Sequence, residues 1–243
     1  MSVVTPAAVP TATPERPIRT VIRAALHILA KDLKVELRTR EVFLTMSLFG
    51  VLVVVIFAFA FNLDPEGLRA VAPGLIWVTV VFAGNLGVAR VMDKERELGA
   101  FQGLMLAPGG PAALFWGKAL GVFLFMLAME LLVVPLALLF VSIELPASGV
   151  GMLVLGLVLG TLGFSLIGTL FGAMLADVRM REVLIPVIVY PVIVPVLVAG
   201  VKLTAHAFDP ALGEPEGFLP LMIGFDVLYL ALAPWVFTRT MVA

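Results

Sequence analysis

Six apolar runs, each about 20 residues long and nearly free of charge, make lipid the natural solvent for most of this chain. The first, residues 42–62, reads VFLTMSLFGVLVVVIFAFAFN and contains no ionisable side chain. The others fall at about 70–90, 119–142, 148–175, 183–201 and 218–237. A helix needs roughly 20 residues to cross a hydrocarbon core of about 30 Å. Only helices and closed barrels satisfy every backbone polar group there. Runs of this length therefore predict an all-α membrane protein with six transmembrane helices. Composition agrees, with 61% hydrophobic and 14% charged residues, against about 25% charged in soluble domains.

Cysteine is absent, which excludes disulfides, thiol redox chemistry and iron–sulfur ligation by this chain. The net charge of −1 carries no information about nucleic acid, and none is expected as a partner. Residues 1–17 are rich in Pro, Thr and Ala and read as a flexible lead rather than a cleavable signal. Residues 18–41 read as an amphipathic interfacial helix. Ile22, Ala25/Leu26, Leu29, Leu33 and Leu37 recur at helical spacing, with Arg23, Lys31, Lys34, Arg38 and Arg40 around the rest. The alternative is a helix packed on a soluble partner. With the N-terminus cytoplasmic, Lys and Arg divide 14 inside to 2 outside, the two being Arg69 and Lys202. This bias places both termini on the cytoplasmic side of the six-span domain, 42–243.

The longest inner segment, 90–118, opens on the charged turn DKERELG, continues as the apolar run FQGLMLAP, and breaks at APGGP. Phe101, Leu104, Met105 and Leu106 need a cover at a cytoplasmic surface, either the membrane or a docked protein. The only Gly-Lys pair, Gly117–Lys118, lacks the upstream glycine and the following Ser or Thr of a phosphate-binding loop. ATP hydrolysis by that route is excluded, so an ATP-driven process needs a motor in another subunit.

Glu130 and Asp226 fall inside the third and sixth spans, where a charge costs on the order of 2.5–3.5 kcal/mol by insertion scales. Each is expected to mark a translocation pathway or to be a protonated carboxyl bonded to a neighbouring helix, and Asn85 is a lesser member of the class. In the fourth span, Gly156 and Gly160, then Gly168, Gly172 and Ala176, repeat at spacing four. Such spacing permits close packing, within the chain or at a homodimer seam. Pro186, Pro191 and Pro195 interrupt the fifth span and are expected to kink it. No nucleophile–base pair or metal-ligand cluster appears in the spans, which argues against an intramembrane enzyme.

The segment RELGAFQGLMLAPGGPAALFWGKAL, residues 96–120, resembles the cytoplasmic segment of the cytochrome c maturation protein B (CcmB) family, the heme exporter membrane subunit. The matching positions are Glu97, Gly99, Leu104, Leu106, Pro108 and Lys118, while Gln102 stands where the family often has an acidic residue. APGLIWVTVVFAGNL (72–86) and LIPVIVYPVIVPVLV (184–198) resemble the family's second and fifth spans. The resemblance covers nearly everything from residue 20 onward. It implies an ABC-2-like permease of the bacterial inner membrane, associated with a CcmA-like ABC ATPase, CcmC, CcmD and the heme chaperone CcmE. ATP would be held by the partner subunit. No cofactor is expected to be bound by this chain in its own right, and heme would be cargo or a neighbouring ligand. His27 and His206, the latter read in an outer loop, are isolated histidines, and the resemblance assigns heme ligation to partner proteins. Arg96, Glu97, Gly99, Phe101, Leu104, Leu106 and Pro108 then form the expected ATPase-coupling interface. The alternatives are a secondary transporter driven by protons through Glu130 and Asp226, and a scaffold that holds assembly partners without transport.

Overall fold

A computed structural model describes residues 17–60, 65–97, 103, 109–143, 145–176, 178–210 and 216–242. Seven helices of twenty residues or more are found among them: α1 (Pro17–Thr39), α2 (Glu41–Ala60), α3 (Pro65–Glu97), α4 (Gly110–Phe140), α5 (Ala147–Met174), α6 (Arg181–Phe208) and α7 (Phe218–Val242). No strand occurs among the described residues. The last six helices are each long and apolar enough to cross a bilayer. The chain is thus a helical multi-pass membrane protein.

Helices α3 and α5 form the centre of the bundle and bury more than half of their span residues; α2 and α7 bury less than a third. The outer helices instead present apolar stripes, such as Leu44, Leu48, Leu52, Ile56 and Phe59 on α2. That stripe repeats at three- and four-residue spacing and faces away from the protein, as a lipid-contacting face must. The inner helices approach closely because glycine replaces larger residues where side chains cross. A Cβ on Gly84 would lie 2.6 Å from Met126 Cε, and one on Gly87 would lie 2.6 Å from Met46 Sδ. The fourth span's small residues serve the same purpose. Gly156 meets Leu203 of α6, while Gly168 and Gly172 meet Val88 of α3. Both series are therefore used in packing within the chain.

Helix ends run past the hydropathy bounds at several spans, and at two of them packing supplies the reason. The third span's helix begins at Gly110, nine residues before the expected start at 119. Pro111 suits its first turn. The added turns lie against α1: a Cβ on Gly117 would lie 2.8 Å from Ile28 Cβ, and one on Gly109 would lie 3.3 Å from Val21 Cα. Gly109 also has φ +94°, so glycine is required there on two counts. The fifth span's helix runs on to Phe208 rather than ending near 201, which puts Lys202 and His206 on α6 and not in an outer loop. The physical reason is packing. Leu203, Thr204 and Ala207 of the extension are buried, and a Cβ on Gly149 would collide with the Ala207 carbonyl.

Helix α1 turns into α2 through a single residue, Arg40, at φ 55°. The turn is held by the buried Glu36, whose Oε1 accepts the Phe43 amide at 2.8 Å and so caps the start of α2. Arg90 of α3 lies 3.5 Å from Glu41, at the same end of the bundle.

Candidate functional site

Three polar side chains inside the spans, Trp77, Glu130 and Asp226, meet one stretch of α5, residues 160–163. Trp77, from α3, inserts between Gly160 of α5 and Gly200 of α6. A Cβ on Gly160 would sit 2.1 Å from Trp77 Cη2, and one on Gly200 would sit 2.3 Å from Cζ2. No side chain fits at either position while the indole is there. The indole Nε1 donates to Thr204 Oγ1 at 2.9 Å, which satisfies both groups away from water. One turn of α6 after Gly200 is what places Thr204 beneath the indole.

Immediately after Gly160, the Thr161 hydroxyl donates a short hydrogen bond to Glu130 Oε1 of α4. Both residues are buried. Two residues further, Gly163 faces Asp226 of α7, and a Cβ there would lie 2.6 Å from Asp226 Oδ1. The same α7 turn carries Tyr229, whose hydroxyl donates to the Val192 carbonyl at 2.7 Å. That carbonyl lies one residue after Pro191, whose own carbonyl loses its i+4 donor to Pro195. A side-chain donor on the neighbouring helix supports the backbone there. Helix α6 nonetheless runs unbroken through Pro186, Pro191 and Pro195.

Not all of this polarity is satisfied. Ser47 Oγ, Asn85 Oδ1, Glu130 Oε2, Thr169 Oγ1, the Tyr190 hydroxyl and both Asp226 carboxyl oxygens are buried without a hydrogen-bond partner among the described residues. These six residues lie one on each span, from α2 to α7. A buried polar group without a partner costs about 1–3 kcal/mol. A bundle held together by packing alone gains nothing from retaining one on every helix. The arrangement suits groups that are paired or solvated in a second conformation, or along a path through the bundle.

The structure therefore brings Glu130 and Asp226 to the same stretch of α5, through different residues, Thr161 and Gly163. Asn85 is half-buried on α3. Arg96 and Glu97 lie in the last turn of α3. Gly99, Phe101, Leu104, Leu106 and Pro108 lie outside the described residues. His27 is exposed on α1 and His206 is half-buried in the last turn of α6. No group of three His, Asp or Glu residues able to hold a metal occurs among the described residues.

Residue-by-residue reading of the sequence did not find the Trp77 slot. Its signal was present, a tryptophan in one span and a glycine in each of two others, but nothing local says that they meet. It also missed the tie between α1 and α4. Lys118 is buried in the third span's helix and its Nζ lies 2.8 Å from Asp32 Oδ2 of α1. A buried lysine needs such a partner, and the aspartate on the amphipathic helix supplies it.

Comparison with known proteins adds a family. Residues 23–242 match the profile of the family described as CcmB protein. The heme exporter protein B of Pseudomonas aeruginosa is 28% identical over 210 residues, covering 86% of this chain and 92% of that protein. Proteins of the same name from Haemophilus influenzae and Rhodobacter capsulatus are 29% and 27% identical, over 71% and 86% of this chain and 77% and 94% of theirs.

Proposed function

The chain belongs to the CcmB family, and on that premise we propose that it is the membrane permease subunit of an ABC-type heme-export complex in cytochrome c maturation. The observation that carries this reading is the family match across residues 23–242, superimposed on six candidate spans. Relatives over most of this length are named heme exporters. The chain has no phosphate-binding loop, so the energy enters from a separate ATPase subunit. CcmC, CcmD and the heme chaperone CcmE complete the assembly in the inner membrane, with both termini of this chain cytoplasmic. A second copy of the chain is a further candidate partner.

The proposed mechanism is mechanical. The ATPase presses on the segment joining α3 and α4, including Arg96, Glu97, Gly99, Phe101, Leu104, Leu106 and Pro108. Both of those helices grip α5, one through Trp77 and the other through Glu130. Movement of α3 and α4 against α5 would bring the unpartnered polar groups on each span to new partners. That exchange would open the outward side, moving heme as cargo or releasing a heme-loaded chaperone.

The test is purification from native membranes in mild detergent. An ATPase should accompany the wild-type chain and be lost from Glu97→Lys and Leu104→Gln. Co-purification undiminished in both variants would remove the coupling role. A scaffold would still deliver heme when the partner ATPase is catalytically dead, whereas a permease would not.

The two buried carboxylates favour one second reading, a proton-coupled secondary transporter using Glu130 and Asp226. In that case no ATPase accompanies the chain, and Glu130→Gln with Asp226→Asn stops transport outright.

A further inference from the structure

The amphipathic helix α1 is divided lengthwise into three sectors. One packs on α4 and contains Ala25, Ile28 and Asp32. A second carries the large apolar residues Ile18, Ile22, Leu26 and Leu37, all more than half exposed. Nothing in the described chain covers them. The third carries Arg23, His27, Lys34 and Arg38, also exposed, with Arg19 at its border with the apolar stripe.

Between the apolar stripe and α4 lies a groove of about 490 Å³, lined by Ile18, Ile22, Ala25, Leu26, Trp116 and Leu120 among others. Its lining is almost wholly apolar. Leu120 belongs to a membrane-crossing helix, and the exposed Leu124 follows it by one turn. The groove is thus continuous with the lipid-facing surface of the bundle. Helix α1 has two carboxylates, and both are turned inward: Asp32 to Lys118 and Glu36 to the start of α2. The exposed charge that α1 itself presents beside the groove is therefore basic.

We propose that this groove seats an acyl chain of an anionic phospholipid, whose head group is held by the basic border of α1 at Arg19 and Arg23. An apolar slot open to the bilayer fits the chain, and a row of cations one residue away fits a phosphodiester. A zwitterionic lipid fills the slot but brings no net negative charge to the basic border. A soluble partner would have to compete with lipid for a surface that the membrane already bathes. This inference rests on the six-span reading and on no step of heme export.

Trp116 lies in the groove and reports on it directly. Trp77 is 2% exposed and Trp235 is lipid-facing on α7, so the full-length Trp235→Phe protein leaves Trp116 as the tryptophan accessible to lipid. It is reconstituted into phosphatidylcholine vesicles containing phosphatidylglycerol, with bromine placed on the acyl chains of one lipid or the other at equal mole fraction. Brominated phosphatidylglycerol should quench Trp116 about fivefold more effectively than brominated phosphatidylcholine. Arg19→Gln with Arg23→Gln should abolish the difference, and Arg19→Lys with Arg23→Lys should keep it. Equal quenching by the two lipids would reduce the site to ordinary annular contact and overturn the proposal. So would a preference that survives loss of both arginines, or a Trp116 that neither lipid reaches.

Discussion

Trp77 is the residue on which the centre of the bundle closes, because two helices, α5 and α6, accept its ring and only glycine leaves room for it. Gly200→Val would press branched carbons into a ring with no open side and should lower stability by about 1–3 kcal/mol. Thr204→Val removes only the acceptor of the indole N–H and should cost about 1 kcal/mol. Thermal unfolding in detergent should rank the two in that order; a Gly200→Val protein as stable as the wild type would contradict the slot. Glu130 makes a different demand. Its partner Thr161 donates a proton, and an amide oxygen accepts one as well as a carboxylate does. Glu130→Gln should therefore stay folded, while Thr161→Val strands a buried carboxyl and should destabilise by about 1–3 kcal/mol. The pair of variants separates a structural carboxyl from a working one. If heme delivery falls in Glu130→Gln at unchanged thermal stability, the carboxyl does more than pack.

At the scale of elements, α1 is the informative case. Its apolar periodicity reads as a single face, yet the structure divides that face between α4 and an exposed stripe. What fixes the rotation is the ion pair between Asp32 and Lys118, with Lys118 buried and Asp32 nearly so. Removing one member of a buried pair leaves the other uncompensated, at a cost of about 3–5 kcal/mol when the remaining charge is fully buried. Asp32→Ala, which strands the more buried lysine, should be the worse single variant, and Lys118→Met the milder. The double variant Asp32→Leu/Lys118→Met should recover much of the loss. Limited proteolysis between α1 and α2 would register the release of α1. Identical protection in all three variants would show that the pair does not hold the helix.

At the scale of the whole molecule, the six spans alternate, so residues 40, 179 and 240 share one end of the bundle and residues 70 and 210 the other. Arg40 and Arg179 lie at the first end, the one rich in lysine and arginine. A chain without cysteine lends itself to single-cysteine labelling. In intact cells an impermeant maleimide should reach cysteines placed at 70 and 210, and should reach those at 40, 179 and 240 only after the membrane is opened. The reverse pattern would invert the bundle and put the α3–α4 connection out of reach of any cytoplasmic ATPase.

The sequence alone determined the number of spans, their order and, through the distribution of Lys and Arg, an expected orientation. These follow from hydropathy and charge, which are properties of short stretches read independently. It also singled out Glu130 and Asp226, since a carboxylate in a span is conspicuous without any partner. Only the tertiary structure decided which residues they face, that Trp77 closes on two glycines, and that α1 leans on α4 through Asp32. It likewise moved the helix ends to Gly110 and Phe208. A helix stops where its packing stops, and packing depends on neighbours distant in the chain. The apolar runs of this protein therefore count its spans, but shape and charge across space choose the partners of each.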